Sequence, residues 1–199
     1  MALSKFAFIV PAIFLTLTFT GCSNTPPPPE KFPELSWGNY APIKLNVARI
    51  DVVKEYVPSD QAPHVETLPP RTLIDSTDRW ARDRLQAVGA SGFARFIITD
   101  ASIVEVPLEV HSGLAYLFSN QQSKRYDAHV SVRLEIHNDR GYIDGQVVAE
   151  ASATRTASQK ADERELNETW YLLVQAAMLD LNAELDRNIH QSLARFLQL

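Results

Sequence analysis

The chain has 199 residues, 45% of them hydrophobic and 22% charged, and a formal charge of −5. Such a composition excludes a disordered chain, and the acidic balance argues against the clustered Lys and Arg that phosphate binding needs, so no nucleic-acid partner is expected. The one cysteine, Cys22, excludes an internal disulfide, and nothing beside it suggests a metal site.

Residues 6–21 carry no charge and follow Lys5, which gives a charged start and an apolar stretch of signal-peptide length. A spanning helix needs about 18 or more strongly apolar residues, and Pro11, Thr16, Thr18 and Thr20 make this a poor span. The stretch ends in Phe19-Thr20-Gly21-Cys22, which resembles the lipobox of bacterial lipoproteins, with Phe19 standing where leucine is usual. That resemblance implies cleavage between Gly21 and Cys22 and lipid, including palmitate, on Cys22. It further implies a periplasm-facing protein of the cell envelope, with Ser23 favouring the outer membrane in a diderm host. Each buried CH₂ contributes about 0.8 kcal/mol, so two or three acyl chains would hold the domain at the membrane essentially permanently.

Cleavage would leave 199 − 21 = 178 residues and, by removing Lys5, a charge of −6. That length suffices for one core without metal or disulfide support. Next come Pro26-Pro27-Pro28-Pro29, which favour extended polyproline II and read as a tether. The expected organisation is therefore a signal peptide over 1–21, a lipidated tether over 22–41 and one α+β domain over 42–199.

Within the domain, Ile43, Leu45 and Val47 alternate with polar or small residues before Ile50 and Val52 take the opposite phase. The shift predicts one strand with a bulge near Ala48 and Arg49. A connection punctuated by Pro58, Pro63, Pro69 and Pro70 is long enough to suggest function or mobility. Leu73, Thr77, Trp80, Ala81, Leu85 and Val88 approximate one face of a helix over 73–88, stopped by Gly89. Residues 93–106, rich in aromatic and β-branched side chains and limited by Pro107, predict a long strand.

Tyr126, Ala128, Val130, Val132, Leu134 and Ile136 alternate with polar residues, which demands a strand with one face buried. Asn138 to Gly141 form a turn, and Ile143, Val147, Ala149, Ala151 and Ala153 mark the returning strand. Asp162 and Glu165 have capping-box spacing, and the run from Leu166 to Phe196 recurs every three or four residues as one long helix. Its first half is apolar more widely than one sheet surface needs.

The order β-α-β-β-β-α predicts an α+β fold, a largely antiparallel sheet of about four strands with two helices on one face. Behind a lipid anchor, that order resembles the lipopolysaccharide-assembly lipoprotein and the auxiliary lipoproteins of envelope ABC transporters. Locally, Trp80 to Leu85, Ile98 to Ser102, Arg125 to Ala128, Glu163 to Glu165 and Trp170-Tyr171 resemble alphaproteobacterial lipoproteins without an assigned function.

No catalytic constellation emerges. His129 and His137 lie on one strand face about 26 Å apart, too far to share a metal, and read as solvated. Ser91 lacks the five-residue nucleophile-elbow context, and phosphate-loop and dinucleotide motifs are missing. The protein is expected to be no enzyme, to need no cofactor, and to act as an accessory or assembly factor through an envelope protein partner. Candidate contacts are Tyr171, Leu172, Leu173, Met178 and Leu179 on the helix, and Leu114, Tyr116 and Phe118 before the antiparallel strand. The alternative is a lipid or glycolipid carrier with a cavity between helices and sheet.

Overall fold

In the computed structural model, residues 32–109 and 122–198 are described. Chain order is β1 (Ile43–Leu45), β2 (Arg49–Lys54), α1 (Leu73–Arg84), β3 (Leu85–Ala87), β4 (Phe93–Pro107), β5 (Gln122–His137), β6 (Ile143–Ser158) and α2 (Glu163–Ser192), followed by a 3-10 turn at Ala194–Phe196. The main sheet has the order β2-β4-β5-β6; β4-β5 and β5-β6 are antiparallel, while β2 joins β4 in parallel.

The expected α+β class, with helices on one face of the sheet, is what forms. Alternation in β5 places Tyr126, Ala128, Val130, Val132, Leu134 and Ile136 in the core. Phe96, opposite Leu134 on that face, stacks on Trp80 of α1 with centroids 5.6 Å apart. Tyr126 on the same face meets Trp170 of α2 edge-on at 5.7 Å. Both helices therefore cover one layer, and Ala149 and Ala151 of β6 let α2 approach closely.

Two short strands depart from the expected order. The phase change after Val47 is a corner between two sheets, where one bulged strand was expected. The amide of Val47 donates to the Leu45 carbonyl at 2.8 Å, and that of Ala48 to Gly92 at 3.1 Å. β1 instead pairs in parallel with β3 as a separate two-stranded sheet.

Helix α1 ends at Arg84, short of the expected Val88, because Leu85 turns extended and Leu85–Ala87 pairs with β1. Leu85 satisfies a helical and a strand pattern equally, and only the tertiary partner separates them. Gly89 is no helix stop; a Cβ there would lie 2.5 Å from the Asn46 backbone, so its bare backbone admits the β1 corner.

Chain packing also begins ahead of position 42. The described residues fall in one compact unit; Trp37 is buried, and its amide donates to Asp83 at 2.9 Å. Residues 32–41, expected in the tether, thus lie against the helices.

Asp162 caps α2, accepting from the Glu165 amide at 2.8 Å while Glu165 returns a bond to the Asp162 amide. The helix then runs unbroken for 30 residues. Asp162→Ala is expected to cost about 1 kcal/mol, read as a lower urea midpoint with unchanged m-value.

Candidate functional site

Gly21, Cys22, Leu114, Tyr116 and Phe118 lie outside the described residues. On α2 the expected contacts divide by helical angle. Leu173 and Met178 are fully buried, Tyr171 and Leu172 are half-buried, and Leu179 is 48% exposed. Leu173 and Met178 therefore cannot be contacts. The face is wide because α2 packs against two things, the sheet beneath and α1 beside it. The Thr77 hydroxyl of α1 donates to Met178 Sδ at 3.3 Å, and Trp80 Nε1 donates to Asn182 Oδ1 at 2.9 Å.

The chain ahead of β1 crosses both helices. Phe32 packs on Tyr171 at 5.4 Å, Glu34 pairs with Arg79, and the Ala41 carbonyl accepts from Arg84. Arg84 is itself buried and pairs with Asp186 of α2. Part of the Tyr171 surface is thus already occupied by this chain's own Phe32.

The opposite face of the sheet carries a polar network and, among the described residues, no helix. Glu135 is buried and bonds His137 Nε2 at 2.9 Å and Arg133 Nε at 2.8 Å. Burial alone pushes the Glu135 carboxyl up, but the bonds from His137 and Arg133 outweigh it, and the group sits below the usual carboxylate range. His137, expected in solvent, is buried as well; it stacks flat on Phe93 at 4.6 Å, and Arg49 lies 4.3 Å from the centroid of the Phe93 ring. Farther along, Ser152 bonds His129 Nδ1 at 3.0 Å, and Thr154 donates to Asp127 at 2.9 Å.

A shallow cleft of about 570 Å³ opens on this polar face, lined by Arg125, Asp127, His129, Ser152 and Thr154 among others. A second, of about 550 Å³, lies where Tyr40, Arg84, Asp186 and His190 meet. The layer between helices and sheet, where a carried lipid would lie, is filled by side chains with no exposure, including Trp80, Phe96, Leu134, Leu173 and Leu181. Among the described residues, no three His, Cys, Asp or Glu side chains converge as a metal site.

Sequence reasoning missed Glu66, a buried carboxylate in the proline-punctuated connection. It accepts from the Tyr56 hydroxyl at 2.6 Å and the Ser59 amide at 2.9 Å. Nothing in its local pattern, Val65-Glu66-Thr67, distinguishes it from a solvated loop acid.

No family model matches the chain, and no curated protein is similar to it at a significant level. Solved structures share a distant likeness, among them the following three. A minor lipoprotein from Acinetobacter baumannii aligns at 8% identity and a TM-score of 0.39, covering 74% of this chain and 96% of that one. The rare lipoprotein B from Shewanella oneidensis aligns at 13% and 0.36, covering 74% and 94%. A DUF330 protein from Xanthomonas campestris aligns at 8% and 0.32, covering 82% and 90%.

Proposed function

We propose that this protein is an envelope lipoprotein, anchored through lipid on Cys22 and facing the periplasm from the outer membrane, that acts as a non-catalytic accessory or assembly factor by binding a protein partner. The observation that carries the reading is the uncharged run ending in Gly21-Cys22, with Cys22 the only cysteine, directly before a proline tether. A filled helix-sheet layer favours protein binding over lipid carriage, since a carrier needs room of roughly 300 Å³ or more for its cargo. The half-buried Leu172 and the exposed Leu179 remain as helix contacts.

The experiment is capture of the tagged, full-length protein after crosslinking in its native envelope, with proteins, lipids and the Cys22 peptide read by mass spectrometry. An acylated Cys22 peptide and one stoichiometric protein partner, diminished in Leu179→Glu, are expected. An unmodified Cys22 in membrane-associated protein overturns the anchor, and recovery of lipid without a protein partner overturns the adaptor.

A further inference from the structure

The chain enters the folded domain at a fixed place. Phe32, the first described residue, packs on Tyr171 of α2, and Glu34 pairs with Arg79 of α1. The two helices run parallel, since Thr77 meets Met178, Trp80 meets Asn182 and Arg84 meets Asp186. Entry is therefore on the side of the domain where both helices start. There Glu34 and Leu35 line one cleft with Pro70, Arg71 and Thr72, the last residues before α1. The proline-punctuated connection over 55–72 is thus the immediate neighbour of the entering chain.

That connection presents two bare apolar side chains, Val57 at 81% exposure and Leu68 at 53%. Both are held in place by the buried Glu66 and its surroundings. Glu66 accepts from the Tyr56 hydroxyl and the Ser59 amide, on either side of Val57. The Leu68 amide donates to the Val65 carbonyl at 3.0 Å, while Val65 itself donates to Ile103 of β4 at 2.9 Å.

A second exposed apolar pair, Tyr142 and Ile143, lies at the opposite end. Chain length decides between the two. From Cys22 to Phe32 is 32 − 22 = 10 residues, which span at most about 33–36 Å. Ser192 lies 192 − 171 = 21 residues past Tyr171 along α2, about 32 Å at 1.5 Å per residue. The turn over 138–142 is at that level, because Arg195, just past the helix, donates to the Asp144 carbonyl. To set Tyr142 on a membrane that holds Cys22, the tether would have to be drawn straight along the whole domain. Val57 and Leu68 reach the same membrane with chain to spare.

From this we infer that Val57 and Leu68 are the domain's contact with the bilayer that holds Cys22, so that the end where the helices start faces the lipid and the turn over 138–142 faces away from it. The inference rests on the lipid-anchor reading. Two side chains suffice because the tether makes the contact intramolecular, at a high effective concentration. Exposed charges at this end are of both signs, Asp60, Glu163 and Glu165 beside Arg155, Lys160 and Arg164. The contact is therefore apolar and owes nothing to anionic headgroups.

The test places one nitroxide label at a time, through Val57→Cys, Leu68→Cys or Tyr142→Cys, on the full-length lipidated protein in phosphatidylcholine vesicles, with and without phosphatidylglycerol. Cys22 is the only native cysteine and its thiol carries the lipid on the anchor reading, so each label is unique. Relative to a water-soluble nickel complex, oxygen should relax the labels at Val57→Cys and Leu68→Cys at least threefold more than the label at Tyr142→Cys, equally in both vesicles. Val57→Asp changes an exposed side chain and should leave the melt unchanged, yet return the Leu68→Cys label to the value at Tyr142→Cys. Water-like relaxation at both sites, lipid-like relaxation at Tyr142→Cys, a dependence on phosphatidylglycerol, or a Leu68→Cys label indifferent to Val57→Asp overturns the contact. Shielding from oxygen and nickel alike overturns it too, by showing that a second copy covers the connection. Any of these with an acylated Cys22 peptide sinks this inference alone; an unmodified Cys22 peptide sinks the anchor, and this orientation with it.

Discussion

Trp80→Ala is expected to destabilise the domain by about 3–5 kcal/mol, the range for deleting a large buried aromatic. Trp80 has no exposed surface, stacks on Phe96 of the sheet and bonds Asn182 of α2, so one side chain joins both helices to the sheet. Its loss opens a cavity against Phe96 and leaves the buried Asn182 amide without its indole donor. At about 2–4 °C per kcal/mol for a domain of this size, the melting temperature should fall by on the order of 10 °C. Trp80→Phe keeps the stack and loses the bond, so its melt should lie between the two. A Trp80→Ala melt within about 2 °C of wild type would sink the assignment; circular dichroism at 222 nm reads all three.

The long elements were legible because each has one buried and one wet face. β5 alternates without a break from Tyr126 to Ile136, and α2 announces its start through Asp162 and Glu165. Elements defined by a distant partner were not legible. Leu85–Ala87 is a strand only because Ile43–Leu45 lies beside it, and Arg49–Lys54 leaves the first sheet only because β4 offers a parallel edge. The parallel pairing of β2 with β4 has no local cause at all.

Candidate contacts on α2 failed for a related reason. Periodicity reports which side chains share a face but not how many neighbours cover it. Leu173 and Met178 belong to a face with two neighbours, sheet and α1, whereas Leu172 is half-buried and Leu179 is exposed. His137 shows the same blindness on the polar side of β5: its period matches a solvated residue, yet Phe93 and Glu135 bury it. Glu66 is the extreme case, since an acidic residue between prolines reads as solvent-facing until β4 is in place.

Glu66→Ala is expected to cost about 3 kcal/mol at neutral pH, because several donors lose one shared acceptor inside the protein. The buried carboxylate accepts from Tyr56 and Ser59, bonds His64 Nδ1 at 3.2 Å and takes a longer bond from the Ile103 amide of β4 at 3.5 Å. It thereby ties residues 56–64 to the edge of β4 past the end of β2, where Val65 and Glu105 add backbone bonds of 2.9 and 2.8 Å. Burial alone raises its pKa, but the Tyr56 hydroxyl and the amides outweigh burial and lower it below the ordinary 4.5. The same carboxylate, after burial itself, keeps the Tyr56 hydroxyl protonated far into alkali. A carboxyl depressed on folding contributes stability that is complete above its unfolded pKa and is lost as pH falls through the folded one. The penalty of Glu66→Ala in urea melts should therefore be constant above about pH 6 and shrink below about pH 4.5, as wild type loses the charge the variant never had. Glu66→Gln keeps an acceptor for Tyr56 without the charge, so it should be milder at neutral pH. Glu135, depressed by His137 and Arg133, adds a parallel acid limb that survives in both variants. A penalty that stays constant down to about pH 3 would mean that packing, and not the ionised carboxylate, holds the connection to the sheet.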